Sequence, residues 1–351
     1  HFGREHIAPD DGEIRGRGGR RRLFHHVADA EQTVLCAVVR HRVGVDHAIG
    51  RDVLARDFHH GQHRRLEELM NVEQLAQAQI TDPAYEAMLR ALVAKVVLGR
   101  NKTIGFSGSQ GSGKSTLVGV LKAVLEQAHG LTVASLSLDD FYKTRSARTQ
   151  MMTEHPMFQV RGVPGTHDID LMLQAKTALC AGRAAQVPVF DKGLDDRAGT
   201  MTIPAGCETV LLEGWCFGAR PEPVQGLVTP VNALEAVQDP QGLWRRGVNE
   251  SLAGQAYQQL FTVDYWVYFK APNFDAILDW RAEQEARFNQ GPSAMTRSEI
   301  EAFIGYYQRI TQWMLLDAPG RADLVITLDP DHSIAAVQGD LEFSFSSSPS
   351  F

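Results

Sequence analysis

Hydrophobic positions along the chain follow two different periods, one typical of helices and one typical of buried strands. Apolar residues three and four positions apart predict helices over residues 83–100, 116–128, 168–181, 274–289 and 297–316. Short, nearly continuous apolar runs predict strands over residues 102–106, 131–138, 209–212, 265–269 and 322–328. Apolar strands separated by helices are typical of parallel sheets that are covered on both faces. The pattern therefore predicts an α/β fold, a doubly wound parallel sheet with helices on both faces.

The two ends of the chain do not follow this hydrophobic pattern. Residues 1–69 are rich in Arg and His, contain neither Met nor Lys, and precede the first methionine, Met70. We expect residues 1–69 to be poorly structured and to arise from translation upstream of a natural start at Met70, with a genuine Arg/His-rich extension as the alternative. Residues 70–334 are predicted to form the folded domain. The Ser-rich end, 335–351, has too few apolar residues to order itself and is predicted to be disordered.

The amino-acid composition excludes some kinds of binding partner for the protein. The chain has 351 residues, 44% of them hydrophobic, and a net charge of −7, which argues against a general nucleic-acid or membrane-surface binder. No apolar run approaches the roughly 20 residues that a membrane-spanning helix needs. The Arg-rich start lacks the apolar core of a signal peptide, and the 4 cysteines lack pair spacing. We expect a cytoplasmic protein without nucleic-acid or membrane partners; the composition does not indicate an oligomeric state.

A glycine-rich segment carries the most specific motif. Gly108 begins a complete Gly-x-x-x-x-Gly-Lys-Ser pattern between a predicted strand and a predicted helix, which is the context of a phosphate-binding loop. Glycines let backbone N–H groups point inward at an anion, and the helix that follows adds the positive end of its dipole. Lys114 would contact the β- and γ-phosphates, and the Ser115 hydroxyl would bind Mg²⁺. The motif predicts that ATP and Mg²⁺ bind at Gly108, Ser109, Gly111, Ser112, Gly113, Lys114, Ser115 and Thr116.

Acidic residues follow two further predicted strands. Asp139 and Asp140 come after the second strand, and a carboxylate there could accept a proton from a hydroxyl that attacks the γ-phosphorus. Asp139 is the preferred base; Asp140 is its competitor, or a substrate or turn residue. Glu213 follows the third strand and is predicted to hold Mg²⁺ through water or to orient the γ-phosphate. For each carboxylate, an ordinary turn or surface role is the alternative.

Cations and polar loops are weaker candidates. Arg281 and Arg287 lie on the predicted helix over 274–289, where they could neutralise the transition state or simply form i,i+4 pairs such as Glu283–Arg287. The segments 161–168 and 191–197 are predicted to be polar loops. They contain Arg, His and Asp side chains that an anionic hydroxy-acid would need, although on composition alone solvated loop residues are the preferred explanation.

Taken together, these motifs resemble the D-glycerate 3-kinases, phosphate-loop kinases related to uridine kinase, phosphoribulokinase and pantothenate kinase. The resemblance covers about residues 85–330, and its most specific blocks are Arg-Gly-Val-Pro-Gly-Thr-His-Asp at 161–168 and Glu-Gly-Trp at 213–215. Further blocks cover 105–116, 138–142, 187–192, 248–250, 280–281 and 306–314. Two positions depart from the pattern: Phe190 stands where relatives often have Tyr, and Asp195-Asp196-Arg197 only loosely matches an Arg-rich stretch.

The resemblance implies a phosphate-loop kinase fold with a helical lid and transfer of the γ-phosphate of MgATP to the 3-hydroxyl of D-glycerate. It further implies that Lys114, Asp139, Glu213 and Arg281 are catalytic and that Ser115 and Glu213 hold the metal. The acceptor would contact Asp140, Tyr142, Arg161, His167, Asp168, Asp191, Lys192 and Arg197. A related kinase acting on a nucleoside, a sugar phosphate or pantothenate is one alternative. A non-catalytic ATP-binding regulatory protein is the other.

Overall fold

The structure, a computed structural model, describes residues 83–99, 102–288 and 294–339. The helices are α1 Pro83–Val97, α2 Lys114–His129, α3 Arg145–Met151, α4 Ile169–Cys180, α5 Ala233–Gln238, α6 Leu243–Ala253, α7 Gln255–Phe261, α8 Phe274–Phe288, α9 Arg297–Gly305 and α10 Gln308–Asp317. The strands are β1 Thr103–Gly108, β2 Val133–Ser137, β3 Ala185–Asp191, β4 Asp196–Ile203, β5 Thr209–Gly214, β6 Tyr265–Lys270, β7 Leu324–Leu328 and β8 Ile334–Gly339. The expectations for residues 1–69 lie outside the described residues.

A six-stranded sheet forms the centre of the domain, with the strand order β2-β5-β1-β6-β7-β8. Strands β2, β5, β1, β6 and β7 are parallel, and β8 pairs antiparallel with β7 at one edge. Strand β5 therefore lies between β1 and β2, although both precede it in the chain. The order and the parallel pairing confirm the predicted doubly wound sheet.

Alternate residues of the central strands enter two separate cores. In β6, Tyr265, Val267 and Phe269 pack with residues of α1, α2 and α8 on one face. Trp266 and Tyr268 pack with residues of α4, α6, α7 and α10 on the other face. This two-sided burial explains why the strands are nearly continuous apolar runs. None of the helices in the described ranges is long and apolar enough to span a membrane.

A β-hairpin replaces one of the predicted loops. Strand β3 runs through Asp191 and pairs antiparallel with β4, which begins at Asp196, so the expectation of a loop over 191–197 is wrong except at the turn. Two features concealed the hairpin in the sequence. Pro188 lies inside β3, where proline normally argues against a strand, and most of β4 is exposed and therefore lacks an apolar alternation.

Two other segments differ from the sequence expectations. The helix predicted over 297–316 is two helices, because the chain breaks at Tyr306 and Tyr307 between α9 and α10. Strand β8 includes residues 335–339, which therefore belong to the sheet and not to a disordered end that begins at 335. Residues 340–351 lie outside the described residues. Helices α3, α5, α6 and α7 were not predicted.

A buried ion cluster anchors the segment that leads into α5. The guanidinium of Arg309, on α10, donates to Glu235 at 2.8 and 2.7 Å and to Glu222 at 3.0 Å. It also donates to the carbonyl oxygens of Gly226 and Thr229. Glu235 is fully buried, so its charge depends on this partner. The cluster fixes α10 against the chain that follows β5.

We expect Arg309→Ala to lower the free energy of unfolding by about 3–5 kcal/mol, because it leaves the buried Glu235 carboxylate without its counter-charge. Urea unfolding of the full chain measures the change. Arg297→Ala is the matched control, since the Arg297–Asp279 pair is well exposed and its loss should lower the free energy of unfolding far less. Equal losses in the two variants would contradict this role of Arg309.

Candidate active site

Three parallel strands end at the same edge of the sheet and define the site. Strand β1 ends at Gly108, β2 at Ser137 and β5 at Gly214. In this register Glu213 lies beside Phe106 on one side and Ser137 on the other. Ligands of open α/β sheets bind outside the carboxyl ends of the strands. The phosphate-loop motif and the carboxylates at 139, 140 and 213 therefore converge on one cleft.

The phosphate loop has the backbone geometry of an anion site. Gly111 and Gly113 have φ angles of 79° and 82°, in the left-handed region that favours glycine. A Cβ at Gly111 would also lie 2.9 Å from the Cβ of Trp280. Helix α2 begins at Lys114 with no side-chain cap on its first turn, where Ser115 and Thr116 follow. Its first N–H groups therefore remain free to bind a phosphate.

Polar side chains of the loop are consistent with a bound triphosphate. The Ser109 and Ser112 hydroxyls and the Gln110 amide oxygen are buried and have no partner among the described residues. Unpaired buried polar groups are rare in folded proteins. Phosphate oxygens would accept hydrogen bonds from both serine hydroxyls. The loop therefore fits the nucleotide that its sequence predicts.

The two predicted magnesium ligands are in direct contact. The Ser115 hydroxyl donates a hydrogen bond of 2.6 Å to Glu213 Oε2. Mg²⁺ in phosphoryl-transfer sites takes only one or two protein ligands, and its other ligands are phosphate oxygens and waters. A hydroxyl and a carboxylate at this separation can contribute to one such coordination shell, directly or through water. Ser115 and Glu213 are thus the residues that would hold the metal.

Asp139 is held by two hydrogen bonds. The Tyr142 hydroxyl donates to Oδ1 at 2.6 Å, and the Lys192 ammonium donates to Oδ2 at 2.8 Å. Burial raises the pKa of Asp139, but the charge of Lys192, these two hydrogen bonds and the charge of Lys114 outweigh it, and the net shift is downward. Asp139 is therefore a fixed, ionised carboxylate beside the phosphate loop.

Asp140 is perturbed in the opposite direction. Partial desolvation of its carboxyl group and repulsion from Asp139 and Glu213 raise its pKa to about 6, although Lys192 partly opposes the shift. The pKa values of two adjacent aspartates are thus shifted in opposite directions, so that the two differ in protonation at and below about pH 6. Both candidates for the base remain in the cleft.

His167 stacks on Tyr142, and one of its ring nitrogens has no partner among the described residues. Its ring is 2% exposed and stacks on Tyr142 with centroids 5.2 Å apart. Burial and the charge of Lys143 lower its pKa to about 4 against the opposing charge of Asp139, so the ring is neutral. The Tyr257 oxygen accepts from the Gly165 N–H at 2.9 Å and lies 3.0 Å from Nδ1. The Tyr257 hydroxyl proton has no other acceptor among the described residues, so Tyr257 donates to Nδ1 and Nε2 carries the ring proton.

This tautomer leaves a buried donor without a protein partner. Nε2 of His167 makes no hydrogen bond within the described residues. A neutral imidazole whose Nδ1 accepts a hydrogen bond carries its proton on Nε2. The Nε2–H of His167 is therefore a buried donor next to the Tyr142 ring.

The other residues that were predicted to contact the acceptor substrate belong to the β3–β4 hairpin or pair with it. Arg197 donates to Asp168 Oδ2 at 2.8 Å, while Asp168 Oδ1 caps α4 by accepting from the Leu171 N–H. Asp191 accepts from the amides of the turn at residues 193 and 194, so it stabilises the hairpin locally. Arg161 pairs with Asp195. The β3–β4 turn thus borders the cleft through charged contacts.

Arg281 lies on α8, the helix that packs against the phosphate loop through Trp280. Its guanidinium donates to Glu285 at 2.7 Å and lies 5.9 Å from the ring centroid of Phe303. Arg281 is thus held by an i,i+4 pair other than the Glu283–Arg287 pair that the sequence suggested. Its charge nevertheless lowers the pKa of Tyr307, which burial and Asp139 raise, so Arg281 lies near the cleft.

No protein-family model matches the chain. Over 230 residues it is 33% identical to the uncharacterized kinase mug58 of Schizosaccharomyces pombe, an alignment that covers 60% of this chain and 79% of that protein. Over 221 residues it is 31% identical to the chloroplastic D-glycerate 3-kinase of Arabidopsis thaliana. The chain belongs to the D-glycerate 3-kinase family. The second alignment covers 58% of this chain but only 45% of the Arabidopsis protein, so the chain spans about half the length of that relative.

A solved structure supports the same fold. The D-glycerate 3-kinase of Cryptococcus neoformans superimposes with a TM-score of 0.62 at 23% identity, over 74% of this chain and 99% of that one. At this identity the likeness concerns the fold alone. The predicted phosphate-loop α/β fold and the predicted membership of the D-glycerate 3-kinase family are both confirmed.

Some residues of this family member's cleft were not predicted. Tyr257 sets the His167 tautomer, and Tyr307 donates to the Arg161 carbonyl oxygen at 2.9 Å while its ring packs on Trp215. Tyr257 gave no sequence signal, because it belongs to a helix that was not predicted. Tyr307 lay inside a matching block, but the break in the helix at this residue had no local signature.

We expect Asp140→Asn to stabilise the protein above about pH 6 and to have no effect near pH 4. In the folded state the pKa of Asp140 is raised from 3.8 to about 6, so ionisation penalises the folded state progressively over that interval. Asparagine removes the penalty. Thermal unfolding of both proteins between about pH 4 and pH 8 measures the difference in Tm. A difference that is the same at every pH would contradict the raised pKa.

Proposed function

We propose that the protein is an ATP-dependent kinase that transfers the γ-phosphate to the 3-hydroxyl of D-glycerate and forms 3-phosphoglycerate. The observation that carries this proposal is the juxtaposition of an ionised carboxylate, Asp139, with the phosphate loop at one edge of the sheet. A nucleotide-binding module alone would not need such a base. The names of the Arabidopsis and Cryptococcus proteins support D-glycerate as the acceptor.

The phosphate loop would hold the nucleotide in a fixed position. MgATP would supply the transferable phosphoryl group, and the metal would neutralise part of the negative charge on the phosphates. The backbone amides from residue 108 to 115 would bind phosphate oxygens, and Lys114 would add a positive charge. Because Lys114 also lowers the pKa of Asp139 electrostatically, its ammonium group acts on both the nucleotide and the base.

Asp139 would accept the proton of the attacking hydroxyl. In a loose phosphoryl-transfer transition state the proton moves late, so positioning of the hydroxyl matters more than a high pKa of the base. Tyr142 and Lys192 hold the carboxylate in place, and the acceptor hydroxyl would take a position beside it. Asp140, with a pKa of about 6, is closer to the ordinary optimum for a general base and is the competing assignment.

The acceptor pocket would recognise a small anion. Arg161 offers a guanidinium for a carboxylate, Lys192 and Arg197 add positive charge, and the His167 Nε2–H offers a buried donor. A hydrogen bond from a neutral buried imidazole discriminates between ligands by geometry and not by charge. A three-carbon hydroxy-acid has the carboxylate and hydroxyl groups that this set of donors requires.

An ATP-consumption assay of the full chain tests the proposal, with D-glycerate, L-glycerate, uridine and pantothenate as acceptors and Mg²⁺ present. We expect transfer to D-glycerate and a product phosphorylated at the 3-hydroxyl, which phosphorus NMR can assign. Transfer to uridine or pantothenate without transfer to D-glycerate would reject the acceptor. ATP binding without transfer to any acceptor would favour a regulatory protein.

We expect Asp139→Asn to retain affinity for ATP and to lose about two to four powers of ten in kcat, because asparagine cannot accept the proton. Asp140→Asn is the matched variant, a neighbouring aspartate with the same change in charge. Nucleotide titration and steady-state kinetics measure both. If Asp140→Asn loses more kcat than Asp139→Asn, Asp140 is the base.

A further inference from the structure

Asp195 occupies an unusual position at the turn of the β3–β4 hairpin. Its φ angle is 53°, in the left-handed region that residues other than glycine rarely adopt. Its carboxylate pairs with two arginines from outside the hairpin, Arg148 at 3.0 Å and Arg161 at a shorter distance. The turn is therefore held in an unfavourable backbone conformation while its side chain reaches into a cluster of cations.

The two arginines depend on Asp195 to different extents. Arg148 is 1% exposed and donates to the carbonyl oxygens of Lys143, Gln159 and Asp195 itself, so its guanidinium is bonded without the carboxylate. Arg161 has no other ion pair or side-chain hydrogen bond among the described residues, and its guanidinium lies 5.6 Å from the ring centroid of Phe190. The Asp195 carboxylate is thus the one counter-charge of Arg161 in the described part of the chain.

Arg161 belongs to the neighbourhood of the proposed base. Its guanidinium lies over the ring of Phe190, the Phe190 ring packs edge-on against Tyr142 with centroids 5.0 Å apart, and the Tyr142 hydroxyl donates to Asp139. The main chain of Arg161 is fixed by the Tyr307 hydroxyl, which donates to its carbonyl oxygen. An anion on this guanidinium would therefore lie in the same cleft as Asp139.

We infer that the Asp195 carboxylate occupies the subsite of Arg161 that receives the anionic group of the acceptor, so that the acceptor binds only by displacing it. This inference rests on the proposed function and names Asp195 as a residue that sets the affinity for the acceptor. Arg148 keeps the hairpin backbone attached through the Asp195 carbonyl oxygen after the carboxylate has left Arg161. Only the side chain has to move.

The displacement has a defined thermodynamic effect. When the competent state is only fractionally populated, the apparent dissociation constant rises in inverse proportion to its population. A partly exposed ion pair is worth a factor of about two to five in that equilibrium. Asp195 therefore weakens acceptor binding by about that factor and does not act on the nucleotide.

The test is Asp195→Asn in the full chain, which keeps the size of the side chain and removes its charge. We expect the KM for D-glycerate to fall about two- to fivefold while the KM for ATP stays unchanged. Asp195→Gly, which also relieves the left-handed conformation, should shift the acceptor KM in the same direction. A purely structural role of Asp195 would raise the KM or lower kcat, so a gain in acceptor affinity is specific to displacement.

Asp196→Asn is the matched control. Its carboxylate accepts from the backbone amides of Arg145 and Arg197 and is not paired with Arg161, so its removal should not lower the acceptor KM. An unchanged or raised acceptor KM in both Asp195 variants would overturn the inference. Absence of transfer to any hydroxy-acid by the unaltered chain would instead reject the proposed function, which separates the two failures.

Discussion

The parallel register of β1, β2 and β5 determines where the candidate side chains of this protein lie. Insertion of β5 between the two earlier strands places Glu213 beside Ser137 and brings the ends of all three strands to one edge. From that edge the chain continues into the phosphate loop, into Asp139 and Asp140, and into Trp215. The cleft is thus a product of strand order, and the ion pairs that border it depend on this arrangement.

The charged side chains of the cleft form ion pairs, each of one cation and one aspartate. Lys192 contacts Asp139, Arg197 contacts Asp168, and the β3–β4 hairpin supplies the cation of each pair. Such pairing holds one aspartate ionised, while its neighbour Asp140, repelled by two carboxylates, is held closer to neutrality. The pKa values of these two adjacent residues differ because Lys192 and Tyr142 hydrogen-bond to Asp139, while Asp140 faces the repulsion of two carboxylates.

The features that could be predicted from the sequence are those that depend on residues close together in the chain. The phosphate loop, Ser115 and the strand-end carboxylates were found because each lies at a fixed offset from an apolar strand. The hairpin was missed because β4 exposes most of its side chains and β3 contains Pro188. Tyr257 and the Arg161–Asp195 pair were missed for another reason. Their contacts join segments that are distant in the chain, and no periodicity in either segment records the other.

Trp280 connects the first half of α8 to the sheet. Its indole N–H donates to the Pro330 carbonyl oxygen, its ring stacks on His332, and its Cβ lies against Gly111. These attachments fix the backbone of α8 at Trp280 against the phosphate loop and the β7–β8 connection. The backbone of Arg281, the next residue, is therefore anchored beside the phosphate loop as well, and its guanidinium is held by Glu285.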